Sequence, residues 1–339
     1  MKAKIGKRHE SEKNRVILEN FVPLKTPFVL MVDPSSSCNQ KCIFCPTGNH
    51  DIIKNTGRYQ GIMHYDLFKK IIDETSDFDS PIKTLRLYNQ GEPLLNPNLP
   101  EMIEYAKKSR NILRIDTTTN GVLLNPELNK KLIEAGIDQI NISVNGIDAE
   151  QFFKFTRTKI DFEKYVKNIE NLYRNKGNCE IYIKAIKQNL TPEEETKFYE
   201  LFGDFSDRIF LENISPVWPE FYFDNTGAKI EIGQYGQELL EKQVCPYIFY
   251  LMVINSDGTV STCNQDWKRK LVVGDTVIQN LKDIWLGDNI NRYRMIHLDG
   301  NRRKIEICAN CDAVSYCTLD NIDAASSEIK YRLINKIYS

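Results

Sequence analysis

Three cysteines lie within eight residues of this chain, in the stretch CNQKCIFC that runs from Cys38 to Cys45. Because thiolates bind zinc and iron–sulfur centres, three of them on one loop can hold a single inorganic centre. They are one ligand short of the four that close an ordinary zinc or cubane site. The sequence therefore predicts a centre with one open coordination position, which is typical of a site that performs chemistry.

A zinc site is the alternative for these residues. His50 follows Cys45 by five positions and would complete a Cys3His ligand set. The cysteine spacing alone leaves both possibilities open.

The spacing Cys-x3-Cys-x2-Cys, with Phe44 directly before the last cysteine, resembles the signature loop of the radical S-adenosylmethionine (radical SAM) enzymes. The resemblance implies that Cys38, Cys42 and Cys45 bind a [4Fe-4S] cluster whose fourth iron is chelated by the amino and carboxylate groups of SAM. It also implies that Phe44 packs beside the adenine. In that family the reduced cluster cleaves SAM, and the released 5′-deoxyadenosyl radical abstracts a hydrogen atom from the substrate.

Short apolar runs alternate with amphipathic helical patterns along the first two thirds of the chain. Strands are predicted at residues 28–32, 84–88, 113–117, 139–144, 180–187 and 208–211, and helices at 64–73, 99–109, 126–135, 162–173 and 192–202. Parallel strands joined by helical crossovers gather ligands at their carboxyl ends. This α/β pattern resembles the (β/α)6 partial TIM barrel of the radical SAM family, and a doubly wound open sheet is the alternative.

The second predicted strand is followed by Gln90-Gly91-Glu92-Pro93, which resembles the Gly-Gly-Glu-Pro element that binds the methionine amino group of SAM. Gln90 replaces the first glycine of the family. The resemblance implies that Gly91 allows a close backbone approach and that Glu92 offers its carboxylate to the ammonium group. An ordinary β-turn is the alternative.

The next two predicted strands end in further polar elements. Thr118 and Asn120 belong to a TTTNG stretch that resembles the Thr-Asn-Gly element near the nucleoside, and their side chains suit ribose hydroxyls. The stretch SVNG resembles the family's Ser-x-Asp-Gly, with Asn145 in place of the aspartate, and implies that Ser143 contacts the ribose or the methionine carboxylate. Arg157 lies where many relatives carry an arginine that pairs with this carboxylate; a solvated helix charge is the alternative.

A second set of cysteines lies in the last third of the chain and comprises Cys245, Cys263, Cys308 and Cys311. A DG pair at residues 257–258 predicts a type I′ turn in a hairpin over residues 249–263, which brings the first two of these cysteines together. Four thiolates at such spacings bind either a zinc ion, as in a zinc ribbon, or an iron–sulfur cluster.

The order of these cysteines, with the segments 273–275 and 281–285 between them, resembles the SPASM and twitch auxiliary-cluster domains of radical SAM enzymes. Full SPASM domains carry seven cysteines and two auxiliary clusters, whereas this region has five cysteines. The resemblance therefore implies one auxiliary [4Fe-4S] cluster bound by the four cysteines. The implied cofactors of the chain are two [4Fe-4S] clusters and SAM.

Two cysteines and an aromatic segment remain. We expect Cys179 to pack as a small hydrophobic residue. Cys317 can be a spare thiol, an alternative ligand or a hydrogen-atom donor at the active site. Residues 217–224, VWPEFYFD, place four aromatic side chains beside two carboxylates and predict either a pocket lining or a contact that joins two domains.

We predict an N-terminal extension at residues 1–25, the barrel at 26–212, an aromatic-rich linker at 213–244, the auxiliary-cluster domain at 245–317 and a C-terminal helix at 318–339. The net charge is −1, with 45 basic and 46 acidic residues, which does not favour nucleic acid as a partner. Residues 1–25 are charged throughout, so we expect neither a secretory signal nor a membrane span. A cytoplasmic location, where cysteines bind metal rather than form disulfides, is expected.

The sequence is interpreted as that of an enzyme that abstracts a hydrogen atom from a small polar substrate of the carbohydrate or aminocyclitol kind. The auxiliary cluster would accept an electron in an overall dehydrogenation, and an external donor such as flavodoxin or ferredoxin would supply electrons. A radical epimerase with Cys317 as hydrogen-atom donor is one alternative. A ribosomal-peptide maturase is another, although the 25 residues before the first strand are too few for a peptide-recognition domain. Outside this class, the alternatives are a zinc-ribbon interaction protein and a non-catalytic iron–sulfur electron carrier.

Overall fold

The computed structural model describes residues 1–7, 16–221 and 231–339. The last three residues of the aromatic segment, Tyr222, Phe223 and Asp224, lie outside these ranges, so their predicted role stays a prediction.

Six parallel strands form the centre of the molecule. The strands of the described part are β1 (Lys4–Ile5), β2 (Val29–Val32), β3 (Thr84–Leu87), β4 (Ile115–Thr119), β5 (Gln139–Ser143), β6 (Glu180–Ile186), β7 (Arg208–Glu212), β8 (Leu251–Ile254), β9 (Thr259–Ser261) and β10 (Val272–Asp275). They form one sheet in the order β1-β7-β6-β5-β4-β3-β2-β8-β9-β10. Strands β2 to β6 each pair in parallel with the next one in sequence, so that β2 to β7 form a continuous parallel sheet. The predicted parallel α/β architecture is confirmed.

Helices connect these strands. The α-helices of the described part are α1 (His50–Thr56), α2 (Tyr65–Asp73), α3 (Leu99–Ser109), α4 (Pro126–Glu134), α5 (Ala149–Thr156), α6 (Phe162–Arg174), α7 (Pro192–Phe202), α8 (Tyr247–Tyr250), α9 (Leu281–Leu286), α10 (Asp288–Leu298), α11 (Glu306–Ala309), α12 (Ala313–Tyr316) and α13 (Ser326–Ile334). Helix α7 begins where predicted because Thr191 caps it in a capping box with Glu194 and Pro192 occupies its first position. Within the described ranges, none of the helices has the length and apolar character needed to cross a membrane.

The two faces of the barrel sheet differ in chemistry. Side chains that alternate along β6, such as Ile181 and Ile183, are buried in the core beneath the helices. The intervening positions point to the inner face, where Lys184 and, on β3, Arg86 line a cavity. The apolar core therefore lies between sheet and helices, and the concave side of the barrel is left to polar groups.

The hairpin of the second cysteine region continues the barrel sheet. Strand β8 pairs in parallel with β2 from Val29↔Leu251 to Val32↔Ile254, and β9 and β10 follow in antiparallel pairing. Without β8, the edge of β2 would expose unpaired backbone groups. The second cysteine region is thus anchored to the barrel through the sheet as well as through the linker.

Three local predictions differ from the structure. The turn between β8 and β9 is not type I′, because positive φ is confined to Gly258 in a loop of three residues, as in a type I turn with a glycine bulge. Strand β4 begins two residues later than predicted, because Leu113 is largely exposed and lies outside the ladder. The C-terminal helix, predicted within residues 318–339, spans Ser326–Ile334, and Ile337 beyond it is half-exposed.

Candidate active site and cluster-binding sites

The three-cysteine loop follows β2 and is held against the end of α5. The backbone N–H of Lys41 donates to the carbonyl of Thr156 at 2.9 Å, and the N–H of Ile43 donates to the carbonyl of Phe155 at 3.0 Å. These carbonyls belong to the last turn of α5, where helical carbonyls lack internal partners. Arg157 follows directly with a left-handed φ of 54° and is exposed beside the loop. Its pairing with a carboxylate of SAM stays a prediction.

The thiols of Cys38, Cys42 and Cys45 share one buried environment. Burial raises the pKa of all three thiols, to about 12 for Cys38, and Cys45 raises those of the other two further. Such thiols keep their protons unless a cation replaces them. Three soft sulfur donors fit an iron–sulfur cluster that leaves one iron for another ligand. Phe44 is half-buried in the same loop, and its contact with adenine stays a prediction.

Buried groups near the loop leave hydrogen-bonding capacity for a ligand. In the described part of the chain, the side-chain nitrogens of Gln40 and Asn89 are buried and have no hydrogen-bond partner. Gln40 lies against Cys42, whose thiol donates to its oxygen at 3.2 Å, and Asn89 lines the cavity. A bound cofactor with acceptor atoms would satisfy such donors. The residues therefore fit the cluster and SAM.

His50 does not join the cysteines. It is exposed at the start of α1, where Asn49 caps the helix. Across residues 1–7, 16–221 and 231–339, no three His, Cys, Asp or Glu side chains are arranged to hold a single metal ion. The described structure thus does not support His50 as a fourth ligand, and the donors that the loop itself offers are its three cysteines.

A close backbone approach joins the cysteine loop to the loop after β3. A Cβ atom on Gly91 would lie 2.2 Å from the carbonyl oxygen of Ser35 and 2.3 Å from that of Ser37. The next N–H, that of Glu92, donates to the Ser37 carbonyl at 2.8 Å. Position 91 therefore needs glycine, as the motif predicts, and the contact fixes the loop after β3 against the residues that precede Cys38.

The carboxylate of Glu92 is buried and connects the loops that follow β3 and β4. Its Oε1 atom accepts hydrogen bonds from the Thr119 hydroxyl at 2.6 Å and from the Leu94 N–H at 3.0 Å, and its Oε2 atom accepts one from the Asn120 N–H at 2.8 Å. Burial raises the pKa of Glu92 to about 7. The carboxylate therefore holds the Thr-Asn-Gly loop in place. Its contact with the ammonium of SAM stays a prediction.

The other predicted SAM contacts lie at the carboxyl ends of β4 and β5. The Asn120 side chain donates to the side-chain oxygen of Asn39 at 2.7 Å, beside Cys38. Thr118 lines the cavity, Ser143 ends β5, and Asn145 is buried two positions later. The fold brings these residues to the same end of the sheet as the cysteine loop, and their individual contacts with SAM stay predictions.

Gln90 uses all its polar groups within the protein. Its N–H donates to Asp33, its carbonyl accepts from Thr47, its side-chain oxygen accepts from Arg58 and its side-chain nitrogen donates to the carbonyl of Asn264. This arrangement gives no support to the predicted contact between Gln90 and SAM. The side chain instead points to the second cysteine region.

The four cysteines of the second region also meet. Burial is the largest cause that raises the pKa of the Cys263 thiol. The nearby thiols of Cys245, Cys311 and Cys308 raise it further. The backbone N–H of Cys245 donates to Nδ1 of His297, whose pKa burial lowers to about 3, so this imidazole is neutral. The fold therefore places four thiols near one another, and the neutral His297 adds no charge to them.

Arg302 supplies a buried cation to this second site. Its guanidinium donates to the carbonyl oxygens of Cys308 at 2.6 Å and Cys311 at 3.3 Å, and its Nε atom is buried without a partner in the described part of the chain. A buried cation without a carboxylate partner is costly unless an anion lies nearby. Four thiolates around a metal centre carry the required negative charge, so the residues fit an auxiliary cluster.

A cavity of about 930 Å³ lies between the concave face of the barrel and the second cysteine region. Its lining includes Tyr88, Asn89, Thr118 and Lys184 from the barrel and Asn264, Gln265 and Cys317 from the opposite wall. Cys317 is buried, and burial raises the pKa of its thiol. Val217 and Trp218 of the linker also line the cavity, while Phe221 packs edge-on against Trp267. Both predicted uses of the aromatic segment are therefore seen in its described part.

The sequence motifs did not identify the charged residues of the barrel interior. Lys184 forms an ion pair with Glu212 at 2.7 Å, and Gln234 donates to the same carboxylate at 2.9 Å. Arg86 lies 3.6 Å from the carboxylate of Asp116. The alternation of polar and apolar residues within predicted strands such as 180–187 is the signal that could have found them.

Two family models match the chain. The Radical SAM superfamily model matches residues 32–196, and the SPASM iron–sulfur cluster-binding domain model matches residues 245–312. The matched segments lie in the predicted order and contain the two sets of cysteines.

Relatives with assigned activities are distant. The AdoMet-dependent heme synthase of Methanosarcina barkeri (strain Fusaro / DSM 804) is 31% identical over 224 residues, which are 61% of this chain and 61% of that protein. The S-adenosyl-L-methionine-dependent 2-deoxy-scyllo-inosamine dehydrogenase of Niallia circulans is 23% identical over 299 residues, which are 87% of this chain and 96% of that protein.

Solved structures share the fold. BtrN in complex with AdoMet and 2-DOIA has a TM-score of 0.55 at 20% identity, covering 88% of this chain and 98% of that one. Streptococcus suis SuiB bound to the precursor peptide SuiA has a TM-score of 0.60 at 15% identity, covering 90% of this chain and 74% of that one. These similarities show the architecture and do not decide the substrate.

The zinc-ribbon and electron-carrier alternatives are set aside, because the two matched models imply [4Fe-4S] clusters together with SAM. The two matched models and their order show that the chain carries a Radical SAM domain followed by a C-terminal SPASM iron–sulfur cluster-binding domain.

Proposed function

We propose that this chain is a radical SAM dehydrogenase of a small polar substrate, with the auxiliary cluster as electron acceptor. The observation that carries the proposal is the cavity of about 930 Å³, whose lining joins barrel residues such as Asn89 and Thr118 to Asn264 and Gln265, which follow Cys263. A substrate held at that end of the cavity would lie beside residues adjacent to both cysteine sets. Concave sites with a few convergent polar groups are the usual form of small-molecule pockets.

The residues of the barrel and those of the second cysteine region have different roles in this proposal. When bound, the first cluster and SAM supply the radical that removes a hydrogen atom from the substrate. Cys38, Cys42 and Cys45 would hold that cluster, while Glu92 keeps the loop of Thr119 and Asn120 in position for the nucleoside. On the opposite side, four cysteines and Arg302 would hold the auxiliary cluster.

The charges of the cavity support a substrate with hydroxyl or amino groups. Lys184 lines the cavity with its ammonium oriented by Glu212, and Asn89 and Gln265 offer amide groups. Such groups hydrogen-bond to the alcohols and amines of carbohydrates and aminocyclitols. The relative from Niallia circulans, whose name gives an aminocyclitol amine as substrate, supports the same class.

Dehydrogenation balances with the parts proposed. Oxidation of a secondary alcohol to a ketone removes one hydrogen atom, one proton and one electron. The deoxyadenosyl group would accept the hydrogen atom, solvent would accept the proton, and the auxiliary cluster that Cys245, Cys263, Cys308 and Cys311 would hold could accept the electron. Reduction of the first cluster requires an external donor such as flavodoxin or ferredoxin.

Cys317 supports a second candidate function. Its buried thiol lines the cavity, and a thiol that keeps its proton can return a hydrogen atom to a substrate radical. That reaction would make the enzyme an epimerase and leave a thiyl radical at Cys317, which one electron from the external donor and one proton from solvent would return to the thiol. The fold shared with peptide-bound SuiB keeps a peptide substrate as a further alternative, although no observation in the described cavity favours it.

Replacing Cys38, Cys42 and Cys45 together by alanine should leave the auxiliary cluster alone, so iron per chain should fall by about half and cleavage of SAM should vanish. Iron and sulfide quantitation after anaerobic reconstitution, with chromatography of 5′-deoxyadenosine, measures both. Cys179→Ala is the matched control, because Cys179 is buried at the start of β6 and should change neither. Cleavage that persists in the triple variant would contradict the assignment.

Glu92→Gln should weaken binding of SAM by about 1.5 to 3 kcal/mol, because an amide nitrogen would face a hydrogen-bond donor and release the Thr-Asn-Gly loop. The dissociation constant of SAM, measured anaerobically on the cluster-loaded protein, tests this. Glu127→Gln on the exposed face of α4 is the control. An unchanged constant would remove Glu92 from the construction of the site.

Arg302→Gln should lower the midpoint potential of the auxiliary cluster, because a buried positive charge stabilises the reduced, more negative form. Redox titration followed by electron paramagnetic resonance measures the potential of each cluster. The exposed neighbour Arg303 provides the control, since Arg303→Gln should leave both potentials unchanged. If the auxiliary cluster has the same midpoint potential in Arg302→Gln and wild type, the Arg302 cation stabilises the loop and does not affect the potential of the cluster.

The fate of the substrate radical is tested with Cys317→Ala, with 2-deoxy-scyllo-inosamine as the first compound. We expect wild type and variant to form a product two hydrogens lighter, without solvent deuterium on carbon. If instead product mass is unchanged in ordinary water, deuterium enters carbon in heavy water and Cys317→Ala stops turnover, the enzyme is an epimerase.

A further inference from the structure

Gln90 occupies a position where the family motif has glycine, and its side chain crosses to the second cysteine region. Its side-chain nitrogen donates to the carbonyl of Asn264 at 2.9 Å, directly after Cys263. Its side-chain oxygen accepts from Arg58 at 2.9 Å. Gln90 is only 4% exposed, so these bonds are formed away from water, where an unsatisfied amide is costly.

Arg58 makes the second crossing. Its guanidinium donates to Gln90 and to the hydroxyl of Thr47 at 3.0 Å, and it reaches the carbonyls of Ser36 and Trp267 at 3.4 Å. Arg58 is 5% exposed. One buried side chain therefore touches the residues before Cys38, the residues after Cys45 and the loop after Cys263.

A buried carboxylate lies between two arginines at this crossing. Asp33, at the end of β2, is fully buried and lies 3.8 Å from the guanidinium of Arg269. Arg58 is the other cation that acts on this carboxylate. The carboxylate also accepts the N–H of Gln90 at 3.3 Å. The network thus includes a carboxylate between two arginines, one from each region.

The loop that the network holds is a wall of the cavity. Asn264 and Gln265 line the cavity, as does Asn89, which precedes Gln90 in the chain. Gln90 and Arg58 connect the loop of Asn264 and Gln265 to the loops of the barrel beside Asn89. A glycine at position 90 has no side chain to make this connection.

We propose that Gln90 and Arg58 form a clamp that fixes the auxiliary-cluster loop, residues 263–269, at a set distance from the three-cysteine loop. Gln90 is a positioning residue, which acts through the loop rather than on the substrate. The clamp determines the width of the cavity between the two centres, and the inference does not depend on which substrate the cavity accepts or on the outcome of the reaction.

The test is hydrogen–deuterium exchange on the anaerobically reconstituted protein. Gln90→Gly restores the family residue, and Gln90→Met keeps the length of the side chain without its hydrogen bonds. Gln188→Met is the matched control, since Gln188 also makes two side-chain hydrogen bonds, to Asn213 and Ile214, away from this loop. Iron is quantified for every sample, and iron-free wild type is the reference for any variant that loses a cluster.

We expect amide exchange in peptides covering residues 263–269 to become about tenfold faster in both Gln90 variants and to stay unchanged in Gln188→Met. The amides of α10, in the same domain, should keep their wild-type rates. Equal exchange of residues 263–269 in wild type and both Gln90 variants would overturn the clamp, and so would an acceleration that extends equally over α10. Neither readout involves turnover, so a wrong substrate class leaves this result untouched.

Discussion

Charged side chains on the concave face of the barrel constrain the rest of the structure. Lys184 with Glu212, and Arg86 with Asp116, occupy positions where a closed barrel would carry apolar side chains. Such groups cannot be covered by an apolar plug without losing their hydration. The chain therefore leaves a cavity there and places its apolar core on the other side of the sheet. The auxiliary domain and the linker close this cavity with residues that are themselves polar or aromatic.

Closure of the cavity depends on how the second domain is attached. Strand β8 continues the sheet beyond β2, so the domain is fixed along one strand by a regular ladder. The loop after β9 then folds back over the concave face and meets the loops after β2 and β3 through Gln90 and Arg58. Two attachments at different heights of the barrel restrain rotation of the domain better than either alone. The departure from the family motif at position 90 is explained by the second attachment.

Much of the fold could be predicted because its signals are local. Helices α3 and α7 agree with the predicted ranges residue for residue, since a proline in the first turn marks where each begins. The cysteine sites were predictable from spacing. The partners of Glu92 were not, because Thr119 and Asn120 lie on another βα unit and only the three-dimensional packing shows that the carboxylate faces them. The turn at Gly258 was mispredicted because a DG pair suits two loop lengths, and the length was not visible in the residues.

The two cluster-binding sites differ in the charge that surrounds them. Near the three-cysteine loop, the cation Arg58 lies beside the carboxylate of Asp33, and Glu92 adds a further buried acid. At the second site, Arg302 has no ion pair with a carboxylate among the described residues, and its guanidinium faces the cysteine carbonyls. Asp266 and Asp312 also act on Cys308 and Cys311, so acids oppose the positive charge of Arg302 without forming an ion pair with it. A buried guanidinium that faces cysteine carbonyls stabilises the reduced, more negative form of a cluster, and this supports the proposed role of the auxiliary cluster as electron acceptor.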